Sequence, residues 1–386
     1  MTSAAELSAA PGPAEREKRT GFLELFFDLV FVFAITQVTA LALEDTSAGG
    51  FARAAVVLAI IWWAWSAYAW LTNAIEVERP LVRLLMLAAM AGTFFMALAV
   101  PDAFTDEGAW FAVPYLVVRV LQLVLYVEGL RDDPAHRRAV LRLAPWFTVA
   151  PAIVLAGGLV DDPARTWLWG ASLAIDVAGT LLAADTGFRV SPAHFAERYG
   201  LFVIIVLGES IVATGVGARE IDRDGIFALS VLVAFAGVAA LWWAYFGLSQ
   251  LAAERALLRA SPERRAPLAR DLYTFFHFPI ALGIVLVAVA GEKTLAHPQD
   301  PLSEAGRVAL GAGVAVFLSG FVLGRLRVLR RLAWERVAAG AAAVLLVLLL
   351  DGIAAVALFA TVVGILVAML AVEAVRLREL RAHARA

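Results

Sequence analysis

Residues 24–37, ELFFDLVFVFAITQ, set two carboxylates, Glu24 and Asp28, one helical turn apart at the entrance to an unbroken apolar run. A carboxylate out of water is costly unless it is paired, solvated or protonated. The stretch therefore reads as the mouth of a membrane helix whose acids need accounting for. Composition agrees: 62% of the 386 residues are hydrophobic and 17% charged, with mean hydropathy +0.81. Soluble domains are roughly 45–50% apolar and about 25% charged. The excess is too large for one anchor helix, so the lipid bilayer is the expected surroundings of the whole chain. A net charge of −2 offers no basic field for nucleic acid. With no cysteine, disulfides, thiolate chemistry and cysteine-ligated metals are excluded.

Residues 1–21 are small, Pro-containing and charged, and read as a disordered cytoplasmic lead. They do not read as a cleavable signal peptide, because the apolar run that follows is about 20 residues long and lacks a small-residue cleavage site. A membrane helix needs about 20 mostly apolar residues. Such runs fall near 23–43, 52–73, 81–100, 111–130, 141–160, 166–184, 199–217, 226–248, 273–291, 307–324, 334–350 and 353–373. They are continuous rather than alternating, which selects helices over barrel strands. The expected fold is all-α and polytopic, with about 12 transmembrane helices. If the N-terminus is cytoplasmic, 24 of the 32 Lys and Arg residues fall on the inside, including Arg131, Arg137, Arg138 and Arg142 in one loop. This is the positive-inside signature. It places both termini in the cytoplasm, because a miscounted span would invert every later loop.

The second half resembles the first. LAIIWWAWSAY at 58–68 is answered by VAALWWAYFGL at 238–248, so Trp62 and Trp63 correspond to Trp242 and Trp243. ELFFDLVFVFAIT has a looser partner in ERYGLFVIIVLGE, with Glu24 on Glu197 and Thr36 on Glu209. The expected organisation is a first six-helix repeat over 22–190, a second over 191–375, and a basic cytoplasmic tail over 376–386. Six helices per repeat is an even number, so the two share one orientation, a known transporter construction with its site at the repeat interface. Both Trp pairs lie near the middle of their spans, and are expected to pack against neighbouring helices rather than lipid.

Ionisable groups inside a membrane are functional candidates by default. Asp28, Arg119, Asp176, Glu209 and His277 stand out. Arg119 needs a carboxylate, for which Asp28, Asp176 and Glu209 are available. The structural reading is a fixed ion pair; the functional one is an acid whose proton or cation occupancy changes, with Glu209 near the midplane best suited. His277 reads as a hydrogen-bonded packing residue. The five histidines show no HxxxH or HExxH spacing, so no metal site is expected. Nor is there a phosphate loop, a GxSxG elbow or a dinucleotide fingerprint, and both lysines lie outside helix centres. No cofactor and no enzymatic activity are expected. Glu24 is expected at the cytoplasmic interface, hydrated and near the positive end of the helix dipole.

ELFFDLVFVFAITQ, together with HFAERYGLFVIIVLGESIVATG at 194–215, resembles the bacterial low temperature requirement protein A family. That resemblance implies a multi-pass protein of the bacterial inner membrane, associated with growth in the cold. Within its motifs the candidate positions are Glu24, Asp28, Gln37, His194, Glu197, Glu209 and Ser210. A second resemblance, of FFDLVFVFAIT, is to the first helix of potassium channels carrying a Phe-Ser-Asp motif. Here Phe27 replaces the Ser and Leu29 the following Gly; by that analogy Ile35 or a neighbour would sit at a constriction. The functional expectation is a secondary transporter of a small solute or cation with a midplane acid. The alternatives are a cation channel and a non-transporting sensor or scaffold for cold adaptation.

Overall fold

Where lipid replaces water, each backbone amide must be satisfied within its own segment, and the apolar runs accordingly fold as helices. The computed structural model describes residues 20–182, 188, 190–217, 223–247 and 249–383. The lead up to residue 19 lies outside them. The helices are α1 (Phe22–Glu44), α2 (Ala48–Ala74), α3 (Pro80–Leu98), α4 (Gly108–Gly129), α5 (Pro134–Leu141), α6 (Ala144–Gly158), α7 (Ala164–Leu182) and α8 (Pro192–Gly217). They continue with α9 (Gly225–Phe246), α10 (Ser249–Arg259), α11 (Pro262–Ala269), α12 (His277–Ala296), α13 (Glu304–Leu329), α14 (Trp334–Leu349) and α15 (Ala355–His383). Among the described residues, nine helical segments are long and apolar enough to cross a membrane. The other expected spans fall on α6, α7 and α14, which are shorter or more polar.

The helices depart from the expected spans at several places. The amphipathic helices α5, α10 and α11 lie between spans and carry many of the arginines read as loop residues. The run expected at 273–291 is entered through a π-turn, Arg270–Phe275, closed by Phe276 N–H donating to Asp271 O at 3.1 Å. Pro267, three residues before it, withholds an amide from the helical ladder. At the other end of the chain α15 runs on to His383, so the tail expected from 376 begins inside a helix.

In the first half α1 packs on α2 and α3, α3 on α4, α4 on α6 and α6 on α7, and α2 reaches α7. In the second half α8 packs on α9 and α12, α12 on α13, α13 on α14 and α14 on α15, and α9 reaches α15. The halves meet where α1 and α2 pack on α8 and α12. Glycine makes the tightest of these approaches possible: a Cβ on Gly283 of α12 would lie 2.4 Å from Phe317 N of α13. Between α14 and α15, Gly352 takes φ +78 and turns the chain back, a conformation that suits glycine.

The two Trp pairs have different fates. Trp62 and Trp63 are buried, as expected. Trp242 and Trp243 are 45% and 61% exposed, correcting the expectation that both pairs pack inside. The reason is position: α2 is covered by α4, α7, α8 and α12, whereas α9 lies toward the periphery.

Candidate functional site

The acids of the opening motif lie against the start of α8. Glu24 and Asp28 are spaced i, i+4 on α1, as are His194 and Arg198 on α8, so each pair shares one helix face. The faces meet as a ladder. His194 Nε2 is 3.0 Å from Glu24 Oε1, and Arg198 Nη2 is 2.9 Å from Asp28 Oδ1. All four residues are at most 1% exposed. Glu24 is therefore not the hydrated interfacial charge expected from its place at the start of a span. The chain entering α1 folds over it: Gly21 N–H donates to Glu24 Oε2 at 2.8 Å, and Thr20 N–H donates to Glu197 Oε2 at 3.0 Å.

The Arg198 pair is close but not well aligned as a hydrogen bond, and its Nε, Nη1 and Nη2 are all buried without a hydrogen-bond partner among the described residues. Its compensation is electrostatic: Asp28 on one side and the ring of Trp65, 5.8 Å away, on the other. Trp65 also donates from Nε1 to Asp28 Oδ1 at 2.8 Å.

Beside the ladder the π-turn supplies a second polar centre, Thr274. Its hydroxyl lies 3.1 Å from Ser66 Oγ and 3.2 Å from Tyr199 OH, and accepts from Trp70 Nε1 at 2.9 Å. Ser66 Oγ and Tyr199 OH are themselves 2.8 Å apart. Thr274 O accepts from Trp62 Nε1 at 2.9 Å. Pro279, five residues on, has no N–H with which a π-register bond to that carbonyl could close. One turn along, His277 Nδ1 donates to Leu272 O at 2.8 Å, leaving Nε2 to accept from Tyr245 OH at 2.8 Å. His277 is thus a hydrogen-bonded packing residue that joins α12 to α9.

Deeper in the bundle Glu209 of α8 is 2% exposed, and Thr36 of α1 donates its hydroxyl to Glu209 Oε2. Thr39 is a further hydrogen-bonding neighbour, and the acidic Glu292 of α12 bears on it electrostatically. No salt bridge reaches Glu209 among the described residues. Ser210, also buried, turns its hydroxyl back to Val206 O at 3.5 Å. Gln37 is half-buried beside Thr36 and takes no part in the Glu209 contact.

Arg119 settles on Asp176, one of its three available partners, with Nη2 to Oδ1 at 3.2 Å between α4 and α7, and with Tyr115 OH 3.3 Å from its Nη1. This pair belongs to the first-half bundle and is separate from both the ladder and Glu209. Sequence reasoning missed Arg198, counting it as a cytoplasmic loop charge, and missed Thr274 and Glu292. The signal for Arg198 was present: bases at i, i+4 on one motif match acids at i, i+4 on the other. Thr274 carried no comparable signal, because its role depends on the π-turn.

The match to known proteins covers the same motifs. The family model described as bacterial low temperature requirement A protein (LtrA) matches residues 19–372. An uncharacterized protein of Rhizobium meliloti (strain 1021) is 32% identical over 316 residues, covering 79% of this chain and 76% of that protein. By the extent of both matches, this multi-pass helical membrane protein belongs to the bacterial low temperature requirement A family.

Proposed function

We propose that the chain is a secondary transporter of the bacterial cytoplasmic membrane in which Glu209 binds and releases a proton or small cation. One observation carries this: an acid buried about two-thirds of the way along α8 whose described polar partners are hydroxyls, with a second acid, Glu292, near it and no basic side chain in salt-bridge contact among the described residues. A structural acid in a membrane is normally neutralised by a fixed base, as Asp176 is by Arg119. Glu209 has no such base among the described residues and so favours an exchangeable positive charge.

The architecture we infer is twelve spans in two parallel six-helix halves, with both termini cytoplasmic. The order of helix packing is the same in the two halves. Offsetting the chain by 173 residues superposes Thr36 on Glu209, and these two residues touch. Equivalent residues of a two-fold pair meet on its axis, so this contact supports an axis along the membrane normal passing beside Glu209. The channel alternative is less favoured, because Phe27, Phe31 and Ile35 on α1 are fully buried in packing rather than facing an opening. On this reading the partners are the bilayer and a small solute or cation, without nucleic acid or enzymatic chemistry, and transport supports growth in the cold.

Purified protein in liposomes is the test. Imposed proton and alkali-cation gradients should drive flux, and Glu209→Gln should abolish it while insertion and thermal stability stay within about 1 kcal/mol of the parent, as expected where a carboxamide replaces a carboxyl without leaving a charge unpaired. Flux unchanged by the substitution, or no flux under any gradient, would sink the proposal.

A further inference from the structure

A cavity of about 1110 Å³ lies in the second half, and Glu209 is not among the residues lining it. It opens at the end of the bundle where α9, α13 and α15 finish and α12 and α14 begin, and α10 and α11 form one side. Its charge is one-sided: eight arginines and three glutamates line it. Two of the glutamates are already engaged. Glu373 pairs with Arg336, with oxygens at 2.7 and 3.0 Å, and Glu335 accepts from Arg376 at 2.7 Å and lies 3.7 Å from Arg325. Arg255, Arg259, Arg264 and Arg330 have no carboxylate within salt-bridge distance among the described residues, and all four are exposed to the cavity mouth.

The inner end is different. Arg336 is 6% exposed and lies over the Phe321 ring at 4.3 Å. Two of its nitrogens are committed to Glu373, and Nη2 also donates to Ala244 O at 3.3 Å, while Nη1 is buried with no hydrogen-bond partner among the described residues. A buried guanidinium N–H left unpaired is expensive. The remaining lining is chiefly apolar, with Leu272, Ile280 and Phe321 near the base. A basic mouth, an unspent buried donor and an apolar base suit an anion with several acceptor oxygens that carries an apolar body. Phosphate is the group whose oxygens match the guanidinium fork.

We propose that this cavity binds a phosphate-bearing anion, with its phosphoryl oxygens on Arg336 Nη1 and the unpaired arginines of the mouth. Its source is either a membrane phospholipid headgroup or a soluble phosphate ester, which share that chemistry. The site is independent of the Glu209 reading and stands or falls separately. Its wall includes Tyr245 and His277, and His277 packs on Tyr199 with ring centres 5.3 Å apart, so an occupant would border the polar centre around Thr274.

The test uses the full chain in two arms. In the first, protein in phosphatidylcholine nanodiscs is titrated with inorganic phosphate and with glycerol phosphate, read by the thermal unfolding midpoint, with chloride at matched ionic strength as control. In the second, phosphatidylglycerol is added to the discs and retained lipid is counted by native mass spectrometry. Two variants are compared: Arg255→Gln/Arg259→Gln/Arg264→Gln, which alters exposed side chains alone, and Arg336→Lys, which keeps the charge facing Glu373 but removes the second guanidinium arm. Saturable binding in either arm, at least tenfold weaker in both variants while both retain the parent's unliganded midpoint within a few degrees, supports the site. The responding arm names the source. Binding in neither arm, binding equal to that of chloride, or binding unchanged in the triple variant overturns it. If Arg336→Lys fails to fold, the triple variant decides alone.

Discussion

Replacing Asp28 by Asn removes the carboxylate that, among the described residues, forms a salt bridge with Arg198. The amide oxygen can still accept from Trp65 Nε1, and the side-chain volume is kept. What remains is a guanidinium at 0% exposure whose nitrogens have no hydrogen-bond partner among the described residues. Breaking a buried ion pair by removing one member costs about 3–5 kcal/mol, because the other charge is stranded. That is the expected loss for Asp28→Asn, and Arg198→Gln should cost a similar amount by stranding Asp28. The double variant strands neither charge and should cost clearly less than the sum, giving a coupling of about 3 kcal/mol. Equilibrium unfolding of the four proteins in mixed micelles, followed by tryptophan fluorescence, measures the cycle. Additive losses, or less than about 1 kcal/mol for Asp28→Asn, would refute the claim that the ladder is held by mutual charge neutralisation.

Thr274→Val removes the hydroxyl shared by Ser66, Tyr199 and Trp70, leaving the Trp70 indole N–H unpaired. It should cost about 1–3 kcal/mol, read by thermal unfolding, and Trp70→Phe in the same background should recover part of the loss. Gly283→Ala would bring a methyl to 2.4 Å from Phe317 N and 2.6 Å from Gly313 O. Forcing α12 and α13 apart should destabilise by about 1–3 kcal/mol. Gly291→Ala, on the same helix with its nearest neighbour 3.8 Å away, should be neutral or stabilising. Equal effects of the two alanines in thermal unfolding would contradict the close approach.

Much of the fold was legible because membrane insertion is read from composition and local runs. The helices follow the apolar runs closely, from Phe22–Glu44 through Ala355 onward, since every backbone amide in lipid has to be satisfied inside its own segment. The surprises lie at span ends. Glu24 and Arg198 look like loop-side charges in a linear reading, and whether such a residue meets water depends on what folds over it. Here Gly21, Thr20 and α8 do so.

By itself the sequence determined the medium, the helical class, the helix positions and the family motifs, all set by hydrophobicity and spacing along one chain. It also singled out Asp28, Asp176, Arg119 and Glu209 as charges out of place. Only the tertiary structure decided their partners: Arg119 took Asp176, Asp28 took Arg198, and Glu209 was left with hydroxyls. Lipid faces and protein faces of an apolar helix have nearly the same composition, which is why Trp62 is enclosed while Trp243 lies outside. The pairings follow from which faces touch, and that is fixed by packing among helices far apart in the chain rather than by any one span.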